Sequence, residues 1–551
     1  MTAQGDNFGK IQGATGTMKL TDIVKPENRA EWEAKGYVMP AYDRAAMVER
    51  TRKNPTWIHF GAGNIFRAFP AAVLEGMLNR GEADTGVIVA EGFDYDIIDM
   101  AYRPYDDLSL LVVLKADGSI EKRVVGSVAE SLKADTASED FERLAEIFRN
   151  PSLQMVTFTI TEKGYSLWMA DGSYNRAAAE DLNGRGLKPQ TAMGKVTALL
   201  WERFKAGAFP ITMSSMDNCS HNGDKLAKAV FTYAREWCRQ GLVSGEFVAW
   251  LERSGKVTFP WSMIDKITPR PDAKVQEMLA ADGFEDNNII ITGFKTYTAP
   301  FVNAEETEYL VVEDTFPNGR PALEKGGVLY TDRETVDKVE KMKVCTCLNP
   351  LHTALAIYGC MLGYTLISEE MKDPELSKLV TRMGYEEAMP VVVNPGILKP
   401  EDFIGAVLTK RLPNPFMPDA PQRIATDTSQ KLPIRFGETL KAYTANGLDL
   451  SKLTLIPLVL AGYARYLCGI DDEGNAFEQS PDPLLAELSE ITAGLTPGGD
   501  NDWSCLAKLY SRSDVFGVNL YEIGIGERVE SMVKELYAGP GAIRTTLRKY
   551  V

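Results

Sequence analysis

The feature that most constrains the fold is a short apolar run that leads directly into two closely spaced glycines and a helical pattern. Residues 56–60 (TWIHF) have the character of a buried strand, Gly61 and Gly63 follow, and residues 66–79 have the spacing of an amphipathic helix. Glycines between a strand and a helix allow a tight turn whose backbone approaches a ligand closely. The pattern therefore predicts a strand–turn–helix unit of an α/β domain.

Further strand-like and helical runs alternate after this unit. Apolar runs typical of strands lie at 86–90, 155–160, 209–214 and 257–259, and helical patterns lie between them, notably at 191–206 and 223–239. This alternation predicts an α/β fold with a Rossmann-like, doubly wound parallel sheet.

The pattern changes near residue 330, where helical runs replace strand-like ones. We expect seven helices after that point, at 333–343, 352–368, 373–389, 432–445, 453–468, 483–493 and 525–537. The predicted domains are an N-terminal extension (1–50) with Trp32 and Tyr37 as anchors, a dinucleotide-binding domain (51–330) and a mainly α-helical substrate and catalytic domain (331–551).

Composition narrows the classes of function. With 60 Lys and Arg against 76 Asp and Glu residues, the formal net charge is -16, which disfavours nucleic acid and anionic membranes as partners. Seven scattered cysteines favour reduced thiols over a disulfide framework. The chain shows no recognisable secretory signal or membrane span, so we expect a soluble, cytoplasmic protein.

The glycine turn and a later acid predict a dinucleotide site. Backbone N–H groups of the turn and the following helix would cradle a pyrophosphate, with Gly61, Gly63, Asn64 and Phe66 as the lining residues. Glu91 ends the next apolar run, where a carboxylate accepts from ribose hydroxyls and repels a 2′-phosphate, which favours NAD(H) over NADP. Arg67 either pairs with the pyrophosphate or is an exposed helix residue.

A second cluster lies just beyond the predicted domain boundary, in the segment KVCTCLNPLH (343–352). Oxidation of a carbinol needs a base for the hydroxyl proton and donors for the developing alkoxide. A lysine whose pKa is lowered by burial can be that base, while Asn349 and His352 can hold the oxygen. The bland alternative is a helix cap followed by a hydrogen-bonded structural histidine, which is the commoner situation.

The sequence contains few of the residues that other classes of oxidoreductase use for catalysis. Only three histidines exist and no CxxC pair is present, so we expect no metal site. None of the 21 tyrosines has a lysine four residues later, which argues against a short-chain reductase.

Seven ordered motifs resemble those of the polyol-specific long-chain dehydrogenases, the mannitol dehydrogenase family. They are GAGNIFRAF (61–69, with Phe69 in place of the usual His), TITEKGY (159–165), MSSMDNCSHNG (213–223), FPWSMIDKITP (259–269), EDTFPNGRP (313–321), NPLHTAL (349–355) and PQRIATDTSQK (421–431). The resemblance implies a metal-independent, NAD-linked oxidoreductase. Its substrate would be a small sugar acid or polyol, and its state a monomer or weak homo-oligomer.

The resemblance also implies roles for single residues. Lys343 would be the general base, Asn349 and Asn218 would polarise the reacting oxygen, and His352 would orient the substrate. Glu340 would couple the proton of the lysine to solvent, and Asp265 would contact hydroxyls of the cofactor or the substrate. Arg423 and Lys431 would be substrate-binding cations.

One departure concerns the base. The family usually has four residues between the lysine and the asparagine, whereas five separate Lys343 from Asn349 here. Either a bulge absorbs the extra residue or the lysine is displaced, and the intact spacing from Glu340 favours Lys343 over Lys341.

The version of the motifs found here, together with VAEGFDYDIID (89–99), is most similar to the fructuronate reductase-like members of the family. That implies interconversion of D-fructuronate and D-mannonate. Mannitol 2-dehydrogenase and tagaturonate reductase activities remain alternatives within the enzyme class. Outside it, the extra residue leaves open a silent ligand-binding homologue.

Overall fold

The computed structural model describes residues 17–184 and 186–551, so residues 1–16 of the predicted N-terminal extension lie outside the described part. The strands in chain order are β1 (Tyr37–Val38), β2 (Trp57–Phe60), β3 (Val87–Glu91), β4 (Ser109–Leu114), β5 (Ile120–Val125), β6 (Val128–Lys133), β7 (Met155–Phe158), β8 (Ile211–Ser215), β9 (Val257–Thr258), β10 (Ser262–Asp265), β11 (Ile290–Ile291), β12 (Tyr297–Thr298), β13 (Phe301–Glu305), β14 (Tyr309–Glu313) and β15 (Leu329–Thr331).

The central element is a six-stranded sheet in the order β6-β3-β2-β7-β8-β9, and every neighbouring pair in it is parallel. Strands β2, β3, β7 and β8 are buried along their whole length, because helices cover both faces. The chain order reverses direction between β2 and β7. Ligands of doubly wound sheets bind at the carboxyl ends of the strands at such a switch point. The predicted doubly wound α/β fold is confirmed.

Helices flank this sheet and fill the second half of the chain. Up to residue 281 they are Leu20–Ile23, Pro26–Ala34, Arg44–Lys53, Asn64–Ala68, Pro70–Asn79, Asp96–Ala101, Glu139–Arg149, Thr161–Tyr165, Arg176–Gly184, Ala192–Gly207, Asn222–Arg239, Gly245–Arg253 and Ala273–Ala281. The predicted helix at 66–79 is two helices, because the backbone breaks at Phe69 (φ −130°, ψ −77°) just before Pro70.

The C-terminal helices are Arg333–Met342, Asn349–Met361, Ile367–Glu370, Pro374–Arg382, Pro400–Ala406, Pro421–Ile424, Thr428–Leu432, Glu438–Ala445, Leu455–Tyr466, Leu485–Thr492, Cys505–Tyr510, Ser513–Phe516, Gly526–Leu536 and Ala542–Tyr550. They enclose a separate core around Asn349–Met361 and Leu455–Tyr466. By length and composition the run 333–361 could cross a membrane, but 78% of its most apolar window is buried inside the protein. It is the central helix of this core.

A four-stranded sheet, in the order β1-β5-β4-β13, was not predicted from the sequence. The described part of the predicted N-terminal extension joins it, because β1 pairs with β5 and Trp32 and Tyr37 are buried. Both anchors pack with Phe284 in one small core. Residues 17–50 are therefore integrated into the fold.

Glu370 is a carboxylic acid inside the C-terminal core. It is fully buried, and neither carboxyl oxygen has a hydrogen-bond partner in the described residues. It packs against Gly359, where a Cβ atom would lie 2.1 Å from Glu370 Oε1. Burial is the main cause that raises the pKa of Glu370 to about 9, with the charge of Asp373 adding to it.

We expect Glu370→Gln to raise the melting temperature near pH 8 and to change it little near pH 4.5. The pKa is higher in the folded state, so the folded protein binds the extra proton, and stability falls as pH rises between about 4.5 and 9. Glutamine carries no such proton. Calorimetry at the two pH values measures the difference. Glu369→Gln, at a half-exposed neighbour, is the control, and an equal gain at both pH values would contradict the expectation.

Candidate active site

A cavity of about 480 Å³ lies between the carboxyl edge of the sheet and the helical half of the chain. Six of the predicted site residues line it together: Asn218, Asp265, Glu340, Lys343, Asn349 and His352. Asn218 follows β8, Asp265 ends β10, and the other four lie on the run from Arg333 to Met361. We call this cavity the cleft.

Lys343 lies at the base of the cleft and is 4% exposed. Its Nζ donates to Asn218 Oδ1 at 3.1 Å and to the Ile264 carbonyl oxygen at 3.3 Å, and it lies 3.2 Å from Asp265 Oδ1. Lys341, the alternative base, is 57% exposed and pairs with Asp337 at 2.8 Å. The geometry therefore favours Lys343.

The extra residue before Asn349 is absorbed in the helix. Lys343–Cys347 forms a π-helical turn between the helices Arg333–Met342 and Asn349–Met361, and Leu348 N donates to the Lys343 carbonyl oxygen at 3.1 Å. A π turn accommodates one added residue without breaking the helix. Of the two outcomes expected from the sequence, the structure has the bulge, and Lys343, Asn349 and His352 all face the cleft.

A buried chain of charges continues from Lys343 into the helical half. Asp265 Oδ2 accepts from Arg411 at 2.7 Å, and Arg411 also donates twice to Glu305, at 2.9 and 2.7 Å. Each of these side chains is under 8% exposed. Burial alone would raise the pKa of Asp265, but the positive charges of Lys343 and Arg411 outweigh it and hold that pKa below its ordinary value.

His352 offers a neutral imidazole to the cleft. Burial is the main cause that lowers its pKa to about 4, and nearby arginines add to the effect. Its Nε2 lies 3.5 Å from Asp419 Oδ2 and has no hydrogen-bond partner among the described residues. Of the two other histidines, His59 is a core residue held between two threonines, and His221 is half-exposed. The alternative of a hydrogen-bonded structural histidine does not fit this geometry, because His352 Nε2 has no hydrogen-bond partner among the described residues.

Asp217 positions the loop that carries Asn218. It accepts from the backbone N–H groups of Ile160 and Thr161, both at 2.9 Å, and from the Tyr165 hydroxyl. These contacts join the sequence motifs at 159–165 and 213–223. These hydrogen bonds hold the loop in the position in which Asn218 Oδ1 accepts from Lys343.

Glu340 lines both the cleft and a larger neighbouring cavity of about 950 Å³. Ser220 and Val344 are also shared by the two cavities. A carboxylate at this junction is suitably located to exchange protons between the cleft and the outer cavity.

The glycine turn has the backbone that a dinucleotide site requires. Gly61 has φ +109°, and a Cβ there would lie 2.2 Å from the Thr159 carbonyl oxygen, so only glycine fits. A Cβ at Gly63 would meet no atom within 4 Å, so its missing side chain leaves open space at the start of the helix Asn64–Ala68. These two positions fit a closely approaching pyrophosphate.

The other side chains predicted to touch the cofactor have other partners. Arg67 is fully buried and donates to the Ala299 carbonyl oxygen, the Thr298 hydroxyl and Asn64 Oδ1. The alternative of an exposed helix residue is therefore wrong, whereas pairing with the pyrophosphate stays a prediction. Phe66 is fully buried and stacks on His59 at 4.2 Å. Both side chains help to hold the turn, and the predicted contacts of these residues with the cofactor stay predictions.

Glu91 is also engaged by the protein. Its Oε2 accepts from Ala62 N at 2.8 Å, and its Oε1 accepts from Phe93 N at 2.9 Å and Asp94 N at 3.2 Å. The carboxylate thus holds the glycine turn and the loop after β3 together, and its contact with ribose hydroxyls stays a prediction.

The structure does not bring Arg423 and Lys431 to the cleft. Arg423 is 62% exposed and pairs with Asp419, the carboxylate beside His352. Lys431 donates to the backbone carbonyl oxygens of Ile424 and Thr426. Arg423 acts on the site through its charge, which helps to lower the pKa of His352, and through its pair with Asp419, while Lys431 supports a loop.

Arg411 and Lys266 line the cleft and were missed in the sequence. The only signal was indirect: Asp265 and Glu305 end apolar strands, and buried carboxylates require a buried cation. The sequence contains 60 basic residues, and the one that pairs with Asp265, Arg411, is 146 residues away along the chain. The sequence pattern alone therefore could not identify it.

A doubly wound sheet, a glycine turn at its switch point and a buried lysine cleft define an oxidoreductase of the Rossmann type. The family model described as the mannitol dehydrogenase Rossmann domain matches residues 55–325, and the mannitol dehydrogenase C-terminal domain matches residues 335–520. The chain belongs to the mannitol dehydrogenase family, which confirms the resemblance seen in its motifs.

Three related proteins match along nearly the whole chain. A D-mannonate oxidoreductase from Thermotoga maritima is 52% identical over 95% of this chain and 98% of its own length. A substrate-free D-sorbitol dehydrogenase structure superposes with a TM-score of 0.76 at 28% identity, covering 92% of this chain and 97% of its own. Mannitol 2-dehydrogenase from Pseudomonas fluorescens, in a ternary complex with NAD and D-mannitol, gives 0.66 at 26% identity, with 97% and 99% covered.

We expect Arg411→Met to lower the melting temperature by several degrees, because Glu305 and Asp265 would lose their buried partner, a loss of about 3–5 kcal/mol. The adjacent Lys410→Met removes only a half-exposed pair with Glu306 and should change stability by less than about 1 kcal/mol. Thermal unfolding of both variants measures this. Equal effects would mean that the buried network contributes no more than a surface pair.

Proposed function

We propose that this protein is an NAD-dependent oxidoreductase that interconverts the keto sugar acid D-fructuronate and its aldonate, D-mannonate. The observation that carries the proposal is the convergence of Lys343, Asn218, Asn349 and His352 in one cleft beside a dinucleotide fold. The substrate follows from the relative named D-mannonate oxidoreductase, which is 52% identical over 95% of the chain. We further propose a monomer or weak homo-oligomer.

The residues of the turn fit the cofactor. Gly61 permits the close backbone approach and Gly63 leaves space at the helix start, as a pyrophosphate requires. When bound, the nicotinamide supplies or accepts the hydride at the carbon that bears the reacting oxygen. The protein then has to manage the proton and the charge on that oxygen.

Lys343 is the group we assign to the proton. In the reducing direction its ammonium donates a proton to the carbonyl oxygen, and in the oxidising direction the amine accepts the hydroxyl proton. The Asn218 oxygen already accepts from Lys343, so the NH₂ group of that amide is left to donate to the substrate. Asp265 holds the lysine in place at 3.2 Å.

Asn349 and His352 hold the reacting oxygen and the neighbouring hydroxyls. An amide and a neutral imidazole donate without adding net charge, so they stabilise a developing alkoxide without binding the substrate carboxylate too strongly. Asp419 lies 3.5 Å from His352 Nε2 and is paired with Arg423, so we assign to these two residues an electrostatic influence on the imidazole.

Glu340 completes the proton path. It lies one helical turn before Lys343 and lines both the cleft and the outer cavity. We assign to it the transfer of protons between the lysine and solvent.

The silent ligand-binding alternative depended on a displaced lysine. The π turn at Lys343–Cys347 removes that reason, since Lys343 lines the same cleft as Asn349 and His352. Catalysis is therefore the better-supported function.

We expect the purified protein to oxidise NADH faster with D-fructuronate than with D-tagaturonate or D-fructose. Fructuronate and tagaturonate carry a carboxylate and differ in the configuration of a hydroxyl, whereas fructose has no carboxylate. All three have a ketone that can be reduced. Initial rates of NADH consumption give kcat/KM for each. Fructose as the best substrate would overturn the sugar-acid assignment, and NADH binding without turnover of any of them would favour the silent homologue.

We expect Lys343→Ala to lower kcat by about 100- to 10,000-fold, the usual contribution of a general acid–base group. Lys341→Ala is the matched control, because within the described residues this exposed lysine forms its ion pair with Asp337, and the variant should retain nearly full activity. Partial recovery of the Lys343→Ala variant with added methylamine would identify the missing group as a proton donor. A larger loss in Lys341→Ala would reverse the assignment.

A further inference from the structure

Two phenylalanines stand out on the surface of the dinucleotide-binding half. Phe93 is 70% exposed and Phe294 is 63% exposed, which makes them the most exposed large apolar side chains in the described part of the chain. Their ring centroids are 4.8 Å apart with the planes tilted by 46°. Aromatic rings usually bury most of their surface, so a paired, solvent-facing set points to a ligand.

Mobility of the loop does not explain the exposure of Phe93. Its backbone N–H donates to Glu91 Oε1 at 2.9 Å, and the carbonyl oxygen of Gly92 accepts from the buried Lys195 at 2.8 Å. The Tyr95 hydroxyl donates to the Ala134 carbonyl oxygen at 3.1 Å. The ring is therefore held outward on a loop that is fixed on both sides of it.

Phe294 is brought to the same place by a hairpin. Strands β11 and β12 pair in antiparallel fashion, and residues 292–296 between them make the turn. Thr292 Oγ1 donates to Asp94 Oδ2 at 2.6 Å, and Gly293 N donates to Asp96 Oδ2 at 3.0 Å. These two hydrogen bonds fasten the hairpin to the loop after β3 and set Phe294 beside Phe93.

The pair is connected directly to the glycine turn. The carboxylate of Glu91 accepts from Phe93 N through one oxygen and from Ala62 N through the other. Strand β3, which ends at Glu91, lies next to β2, which ends at the turn. In a doubly wound sheet the adenosine half of a dinucleotide extends from the turn over this second strand.

A buried acceptor beside the ring is also unused. Asp94 is 2% exposed, and its Oδ1 receives no hydrogen bond from the described residues. A hydroxyl or amino group of a ligand would satisfy it.

We propose that Phe93, backed by Phe294, is the surface on which the adenine ring of the dinucleotide cofactor stacks. The centroid separation of 4.8 Å leaves no room for a third ring between them, since stacked rings themselves need at least about 4.5 Å, so the base lies on the outer face. This inference rests on the proposed function and adds the binding residues of its adenine end. The hairpin acts as a positioning element.

The test compares probes that contain or lack adenine. We expect Phe93→Ala to weaken binding of ADP-ribose, measured by calorimetry, and to raise KM for NADH by about tenfold, as loss of one base–aromatic stack does. Phe294→Ala should have a smaller effect of the same kind, and Phe93→Trp should restore binding. Use of reduced nicotinamide mononucleotide, which has no adenine, should not change. Ile291→Ala, on the same hairpin and 54% exposed, is the matched control.

Unchanged ADP-ribose affinity in Phe93→Ala would overturn the inference, as would an equal loss with Ile291→Ala. Wild-type protein that binds neither NADH nor ADP-ribose would refute the proposed cofactor and this inference together. Wild-type protein that binds NADH but reduces no keto sugar would refute only the proposed reaction. Calorimetry with ADP-ribose would then still decide the role of Phe93.

Discussion

The active site depends on one buried chain of charges, in which Lys343 and Arg411 alternate with Asp265 and Glu305. Removing such groups from water is expensive, and each is tolerated only because an opposite charge lies beside it. The two acids come from the sheet-rich half and Arg411 comes from the helical half. Lys343, the proposed base, is consequently paired with Asp265 only when the two halves are docked.

Two members of this chain lie on π-helical turns, Lys343 at the start of Lys343–Cys347 and Arg411 at the end of Val407–Arg411. A π turn changes the direction in which the following side chains face, at a cost in backbone geometry that regular helices avoid. Here that cost is offset by buried ion pairs, and the turn lets the lysine meet Asp265 while Asn349 and His352, beyond it, face the same cleft. The extra residue in the sequence is thus a part of the site.

Local patterns in the sequence were sufficient for features that depend on nearby residues. The strand, the two glycines and the helix after them predicted the turn, and the segment 343–352 predicted that Lys343, Asn349 and His352 belong to one site. The burial of Arg67 could not be predicted from the motif, because its partner, the Ala299 carbonyl oxygen, is 232 residues away along the chain. The backbone contacts of Glu91 were not predicted, because a motif does not show which backbone N–H groups the folded turn brings to a carboxylate at the end of a strand.

Charge at the cleft does not by itself select a sugar acid over a neutral polyol. Arg411 pairs with two carboxylates, and Lys266 donates to Glu308 and to the Glu305 carbonyl oxygen. Both cations therefore already have partners inside the protein and are poorly placed to bind a substrate carboxylate. The neutral side chains of Asn218, Asn349 and His352 line the cleft, and we propose that they recognise the substrate. Discrimination must then come from the pattern of hydroxyl and carboxylate oxygens that these donors can satisfy together, since a buried donor left without an acceptor costs about 1–3 kcal/mol.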